Sequence, residues 1–255
     1  MRTPIEDMLE GVGQVSANLG ESFQCIVKRQ VNINTTLQQI ALIGFDSIPI
    51  ALIISFIAGS VLALHAAEKF AMTGANAYVG NLVAVAMVRE MAPIFTALSI
   101  GARAGTAISA EIANMNVTSQ IDALKIMHIN PIRYLMVPRL LACIISLPLI
   151  TILAEGVGIM GGMYTSRYSA QIHPSMFMDS VHLGLKSYDI EVSLIKALIF
   201  GIILAGIAVT TGLNTKGGAR NVGLATTQAT VWTAISVLIA DFFLTWIFFG
   251  TSFKG

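Results

Sequence analysis

The chain has 255 residues, 55% hydrophobic and only 11% charged, with a mean hydropathy of +0.76. An average soluble domain is about 25% charged, so this is the composition of a membrane protein. Fifteen Lys and Arg against 14 Asp and Glu leave a formal charge of +1, which excludes a broad basic surface for nucleic acid and an acidic tail. No contiguous polar stretch is long enough for a soluble domain, so any soluble catalytic unit is expected on another chain. Cys25 and Cys143 stand far apart in unlike contexts and read as two free thiols, not as a disulfide framework or a metal cluster.

The first 30 residues are not expected to be a cleavable signal peptide, since Glu6, Asp7 and Glu10 stand where a basic region would be and no short apolar run follows. They predict a helix with Thr3 as N-cap and Pro4 at N1. Ile5, Met8, Leu9, Val12, Val15, Leu19, Phe23, Ile26 and Val27 recur at helical spacing, opposite Glu6, Asp7, Glu10, Gln14 and Glu21. Such a helix lies on a membrane surface or packs on a partner subunit. Gly11, Gly13 and Gly20 weaken it.

A spanning helix needs about 20 predominantly apolar residues. Residues 48–67, 140–166, 197–215 and 229–250 meet that requirement, with Glu155 and Asp241 as the only acids. Residues 77–113 are largely apolar apart from Arg89, Glu90, Arg103 and Glu111, and as one helix would measure about 55 Å. This is expected to be a long second span, tilted or bent at Pro93, whose freed backbone carbonyls need donors from neighbouring protein. The expected fold is an all-α membrane protein with an N-terminal interfacial amphipathic helix and elbow over 1–46 and a five-span domain over 47–255.

Orientation follows from basic residues near the spans. Arg2, Lys28 and Arg29, then Lys125, Arg133 and Arg139, then Lys216 and Arg220 fall on one side. Lys69, Arg167, Lys186, Lys196 and Lys254 fall on the other, where the loops also hold Glu68, Asp179, Asp189 and Glu191. The N-terminus is therefore expected in the cytoplasm and the C-terminus in the periplasm.

Between spans 2 and 3, residues 114–139 read NMNVTSQIDALKIMHINPIRYLMVPR. Thr118 or Ser119 can cap a short helix, with Asp122 as a capping-box-like partner and Pro131 as its end. Ile121, Leu124 and Met127 or His128 share a face, while Gln120, Asp122 and Lys125 turn outward. This is a short cytoplasmic amphipathic helix, either an ordinary interfacial element or a docking element for a soluble partner.

No nucleotide site is expected, because the phosphate-binding loop needs a Gly-Lys dipeptide and none occurs. His65, His128, His173 and His182 lack metal-ligand spacing, and no nucleophilic triad is recognisable. The chain is expected to be a non-enzyme without metal or cofactor. Arg89 and Glu90 either form a solvated pair at the outer interface or line a polar cavity; neither can face lipid tails. Arg103, Glu111, Glu155 and Asp241 are expected to be structural, each met by a buried pair or a helix terminus. Gly101-x-x-x-Gly105 and Gly158-x-x-x-Gly162 permit close helix approach.

The run VREMAPIFTALSIGARAGTAISAEIANMNVTSQIDALKIMHINPIRYLMVPRLLA, residues 88–142, closely resembles the signature of the MlaE-type permeases. These are membrane subunits of ABC transporters that work with MCE proteins. The likeness continues through LPLITILAEGVGIMGG, GLNTKGGARNVGLATTQATV and ADFFLT, with residues 31–47 carrying no motif. The resemblance implies a homodimer in the cell inner membrane, two cytoplasmic ABC ATPase subunits, a hexamer of MCE-domain protein and often a small STAS-domain protein. Its implied task is moving phospholipids or related hydrophobic lipids between the inner membrane and the outer envelope.

By resemblance, the helix holding Ser119, Gln120, Ile121, Asp122, Leu124 and Met127 is the coupling helix that docks on the ATPase. Arg89 and Glu90 correspond to the charged pair near an outward-opening lipid cavity, with Val61 and Leu64 expected against acyl chains. An ion-coupled secondary transporter is the alternative, since intramembrane charges and broken helices suit it too. Against it stand five spans without an evident inverted repeat. An intramembrane enzyme would need a nucleophile with a base, or a metal site, and none is recognisable.

Overall fold

The computed structural model describes residues 4–29, 31–72 and 75–250. Among them every regular element is helical: α1 (Pro4–Val27), α2 (Ile33–Ile43), α3 (Ile48–Ala71), α4 (Val79–Ala86), α5 (Ala92–Ile100), α6 (Thr106–Val117), α7 (Gln120–Ile126), α8 (Val137–Ser169), α9 (Pro174–Gly184), α10 (Ser187–Asn214) and α11 (Ala219–Phe249). Five helical runs are long and apolar enough to cross a membrane: Ile33–Phe70, Asn76–Val117, Ile132–Ser169, Ser187–Asn214 and Ala219–Phe249. The expected all-α, five-span architecture is present. Thr3, the expected N-cap of α1, lies outside the described residues.

Two boundaries differ from expectation. Helix α10 starts at Ser187, not 197, and α11 at Ala219, not 229. Asp189, Glu191 and Lys196 are therefore helical residues, not loop residues, and Asp179 lies in α9. A hydropathy window stops at a charge, whereas a helix continues through one that finds a partner.

The second span is continuous from Val79 to Val117 but changes winding twice, at π-helical turns Met87–Met91 and Gly101–Gly105. A third π turn, Ile132–Met136, opens the helix that becomes α8. Two of the three end two residues before a proline, Pro93 and Pro138. A proline cannot donate to the preceding turn and its ring crowds the carbonyl four residues back, so the backbone widens there. The expected disturbance at Pro93 takes this form.

The chain divides into two compact units. The first comprises Met1–Asp46, Ile100–Ser146 and Phe200–Val237. In it α1 runs antiparallel to the last turns of α10: Asn214 Nδ2 donates to Gln14 Oε1, and Asn18 Nδ2 donates to Thr210 Oγ1 at 3.0 Å. Farther along, Val15 and Leu19 pack on Gly206, where a Cβ would come within 3.2 and 3.1 Å of them. Gln14 and Glu21 thus turn toward the protein, contrary to the expected polar outer face. The apolar stripe is divided, with Val15 and Leu19 inward and Val12, Phe23 and Val27 exposed. The half-buried Gln14 and Asn18 find partners on α10 and Glu21 finds Asn130, while the outward apolar side chains suit an interfacial helix.

The second unit comprises Ser47–Ser99, Leu147–Ile199 and Leu238–Gly255. Its core gathers Ala63, Ala67, Val79, Val83, Met87, Ala154 and Phe177. Glycines set the α3–α8 approach: a Cβ on Gly59 would overlap the Gly158 carbonyl, and one on Gly161 would overlap the Phe56 carbonyl. The expected role of Gly158 in close helix approach is therefore realised, with Gly59 facing it. Ser180 of α9 accepts from the Asn81 N–H at 2.9 Å, satisfying an otherwise orphaned donor in the first turn of α4.

Candidate functional site

Helix α10 carries Asp189, Ser193 and Lys196 at spacings of four and three, which places them on one helical face. All three are buried in the second unit, and between them they meet spans 2, 3 and 5. Asp189 Oδ1 accepts from Arg89 Nε at 2.9 Å, while its Oδ2 accepts from the Lys186 N–H at 3.0 Å and so caps the start of α10. Ser193 donates to the Glu155 carboxylate of α8.

Lys196 Nζ donates to the Arg89 carbonyl oxygen at 2.8 Å, to Glu90 Oε2 at 2.8 Å and to Thr245 Oγ1 at 2.7 Å. Those contacts use the three donors of the ammonium. Asp241 Oδ1 lies 2.9 Å away as a second carboxylate partner. Thr245 in turn donates to Glu90, with Oγ1 3.0 and 3.1 Å from the two carboxylate oxygens.

Arg89 stands four residues before Pro93, so its carbonyl is the one an α-helix would have paired with the missing proline N–H. The donor expected from neighbouring protein is the Lys196 ammonium. One buried cation thus holds the π turn open and neutralises the acid on it. The Arg89 guanidinium also lies over the Phe249 ring, with Cζ 4.3 Å from its centroid, and Phe249 meets Tyr188 edge-on at 6.0 Å between centroids.

The four charges expected to be structural all have partners. Arg103 bonds the Leu42 carbonyl at 3.0 Å and Asp46 at 3.1 Å, and Glu111 pairs with Arg139 at 2.6 Å. Glu155 and Asp241 are met by Ser193 and Lys196. Sequence reasoning found Arg89 and Glu90 but missed Asp189, Ser193, Lys196 and Thr245, having put Asp189 and Lys196 in a loop. The signal was there: three polar residues at spacings of four and three, on one face of a largely apolar helix. Val61 and Leu64 lie on the outward side of α3, in an exposed stripe with Ile50, Ile53 and Ile57.

In the first unit the helix expected near 119–128 is α7, Gln120–Ile126. Ser119 occupies its N-cap position but in the left-handed region (φ 58°), and no side-chain cap bond forms. Asp122 instead pairs with Lys125 at 3.0 Å. The expected capping box fails because Ser119 also terminates α6, its N–H bonding Asn116 O at 3.1 Å, and that turn carries it out of capping geometry.

Pro131 does not end α7. His128, also left-handed at φ 57°, closes a Schellman motif in which Ile129 N–H bonds Leu124 O at 2.9 Å and His128 N–H bonds Lys125 O at 3.0 Å. Pro131 instead opens the next helix, with Asn130 Oδ1 accepting from Ile132 N–H at 2.8 Å. Asn130 Nδ2 also donates to Glu21 of α1 at 2.5 Å. Ile121 is buried and Leu124 half-buried, whereas Ile126 and Met127 are exposed at the tip.

Comparison with known proteins matches residues 36–247 to the family described as Permease MlaE. A probable ABC transporter permease protein of Synechocystis is 39% identical over 230 residues, covering 90% of this chain and 88% of that one. A probable ABC transporter permease protein of Rickettsia felis is 32% identical over 240 residues, covering 94% and 93%. Protein TRIGALACTOSYLDIACYLGLYCEROL 1, chloroplastic, of Arabidopsis thaliana is 34% identical over 233 residues, covering 90% and 67%. Five spans, a capped turn-helix between spans 2 and 3, and a match across nearly the whole spanning region agree: the chain belongs to the MlaE permease family and is a multi-pass permease subunit of the ABC transporter type.

Proposed function

We propose that this permease moves phospholipids, or related hydrophobic lipids, between the inner membrane and the outer envelope, driven by a separate ATPase subunit. The observation that carries the reading is the charge cluster of the second unit. Its cationic and acidic groups are closed on the inside by Asp189 and Lys196, yet Arg89 and Glu90 each keep an open edge. Charges held open at membrane depth mark a ligand site by default. The exposed apolar stripe through Val61 and Leu64 supplies the acyl-chain side of such a site. The name of the Arabidopsis relative, that of a galactolipid, points to lipid as cargo.

On this reading two copies form an outward-opening cavity, and the phosphate of a headgroup meets Arg89. The N-terminus is cytoplasmic, the C-terminus periplasmic, and the complex holds two ATPase subunits, an MCE-domain hexamer and in some assemblies a STAS-domain protein. Helix α7, with Ile126 and Met127 exposed at its tip, docks on the ATPase as the coupling element. Nucleotide-driven movement there changes the cavity's affinity for lipid through spans 2 and 3.

The test is to purify the chain with the products of its neighbouring genes, identify what co-purifies, and analyse bound lipid by mass spectrometry. An ATPase together with a bound phospholipid is expected. Arg89→Ala should lower lipid occupancy while assembly survives; unchanged lipid content would remove Arg89 from that role. Replacing Asp122 and Leu124 together by Ala should abolish lipid-stimulated ATPase activity, and full retention of that activity would contradict docking through α7.

A further inference from the structure

The charge cluster has a composition that bears on which headgroup fits it. Two cations, Arg89 and Lys196, face three carboxylates, Glu90, Asp189 and Asp241. The side chains of Lys196 and Asp189 are closed off, at 0% and 1% exposure, whereas those of Arg89 and Glu90 are 31% and 35% exposed. The open groups of the cluster are therefore one guanidinium and one carboxylate, on consecutive residues of the same π turn and tied to one base by Asp189 and Lys196, which together with Asp241 leave one surplus carboxylate.

Each open group has capacity to spare. Asp189 takes Arg89 Nε, and Phe249 covers one face of the guanidinium, which leaves the two terminal nitrogens without a partner among the described residues. Their fork of N–H groups matches two oxygens of a phosphate. Glu90 accepts from Lys196 and Thr245 but retains lone pairs on both oxygens. A purely anionic headgroup placed on Arg89 would lie against Glu90 and the surplus carboxylate. A headgroup carrying ammonium and phosphate together satisfies both open groups at once.

Resting on the lipid reading above, we propose that the Arg89–Glu90 edge selects zwitterionic phospholipids, binding the phosphate at the Arg89 fork and the ammonium at the Glu90 carboxylate. Discrimination equals one half-exposed ion pair gained or lost, about three- to fivefold in occupancy.

The experiment uses native mass spectrometry of the purified protein in detergent, equilibrated with equal amounts of phosphatidylethanolamine and phosphatidylglycerol of identical acyl chains. Phosphatidylethanolamine is expected to be enriched about three- to fivefold over the added ratio. Glu90→Gln should bring the bound ratio back to the added ratio. A second comparison needs no variant: N-acetyl phosphatidylethanolamine keeps the phosphate and loses the ammonium, and should compete no better than phosphatidylglycerol. Bound lipid at the added ratio, enrichment of phosphatidylglycerol, or undiminished competition by the N-acetyl derivative would overturn the selection while leaving lipid binding intact. Absence of any retained phospholipid would overturn the lipid reading itself.

Discussion

The two compact units differ in how far they bury charge. In the first, Arg103 with Asp46 and Lys125 with Asp122 have both partners exposed, and only Arg139 is buried, against the exposed Glu111. In the second, Lys196 is fully closed off and holds two carboxylates, a hydroxyl and a backbone carbonyl. A half-exposed pair is worth about 0–1 kcal/mol, because water can replace either partner. Removing one partner of a buried group costs about 3–5 kcal/mol, because the charge left behind has no solvent to turn to. Thus the first unit tolerates its charges, and the second is organised around them.

The largest expected effect follows from that contrast. Lys196→Met should destabilise the protein by about 3–5 kcal/mol, leaving Glu90 and Asp241 without their cation and the Arg89 carbonyl without its donor. Adding Glu90→Gln and Asp241→Asn should restore part of the loss, since the stranded charges disappear. Arg103→Met in the first unit should cost about 1 kcal/mol or less. Thermal unfolding in detergent ranks the variants, and equal losses for Lys196→Met and Arg103→Met would remove the distinction between the units.

Glycines sharpen the same contrast with a smaller effect. Gly59→Ala drives a Cβ into the Gly158 backbone carbonyl, which can yield only if α3 and α8 separate. A cost of about 1–3 kcal/mol is expected. Gly20 of α1 is exposed and a Cβ there meets nothing within 4 Å, so Gly20→Ala should stabilise by up to about 1 kcal/mol through helix propensity alone. Opposite signs in the same unfolding assay are the expected outcome; a destabilising Gly20→Ala would mean that α1 is packed more tightly than its open glycine indicates.

Much of this was legible in the sequence because hydrophobic length and proline position act locally. Five apolar stretches had to span, and Pro93 had to free a carbonyl. The donor was not legible, because Lys196 lies 107 positions from Arg89 in the chain, and only the packing of α10 brings them together. Reading Lys196 and Asp189 as loop residues came from treating charge as the end of a span. Their spacing with Ser193 on a single helical face argues the other way: a buried polar face appears where several spans supply partners. The capping box at Ser119 failed for a different reason. Its spacing was right, but one residue had to end α6 and begin α7, and only a left-handed backbone turns so sharply.

The smallest stability effect belongs to α7, and its smallness is informative. Asp122 and Lys125 are both largely exposed and pair across three residues at 3.0 Å, so Lys125→Ala should change stability by no more than about 0.5 kcal/mol. If α7 docks on an ATPase, the same charge sits at the rim of an interface beside exposed Ile126 and Met127. Rim charges alter association rate and salt dependence more than fold. Lys125→Glu should therefore leave the unfolding temperature of the isolated chain nearly unchanged while shifting the salt dependence of ATPase association. A large drop in unfolding temperature would make the pair structural, like those of the second unit. Unaltered association across salt concentrations would place the docking surface elsewhere. Lys196 of the second unit is thus read out by folding and the charges of α7 by binding, because the one is shielded from water by its own chain and the others only by a partner.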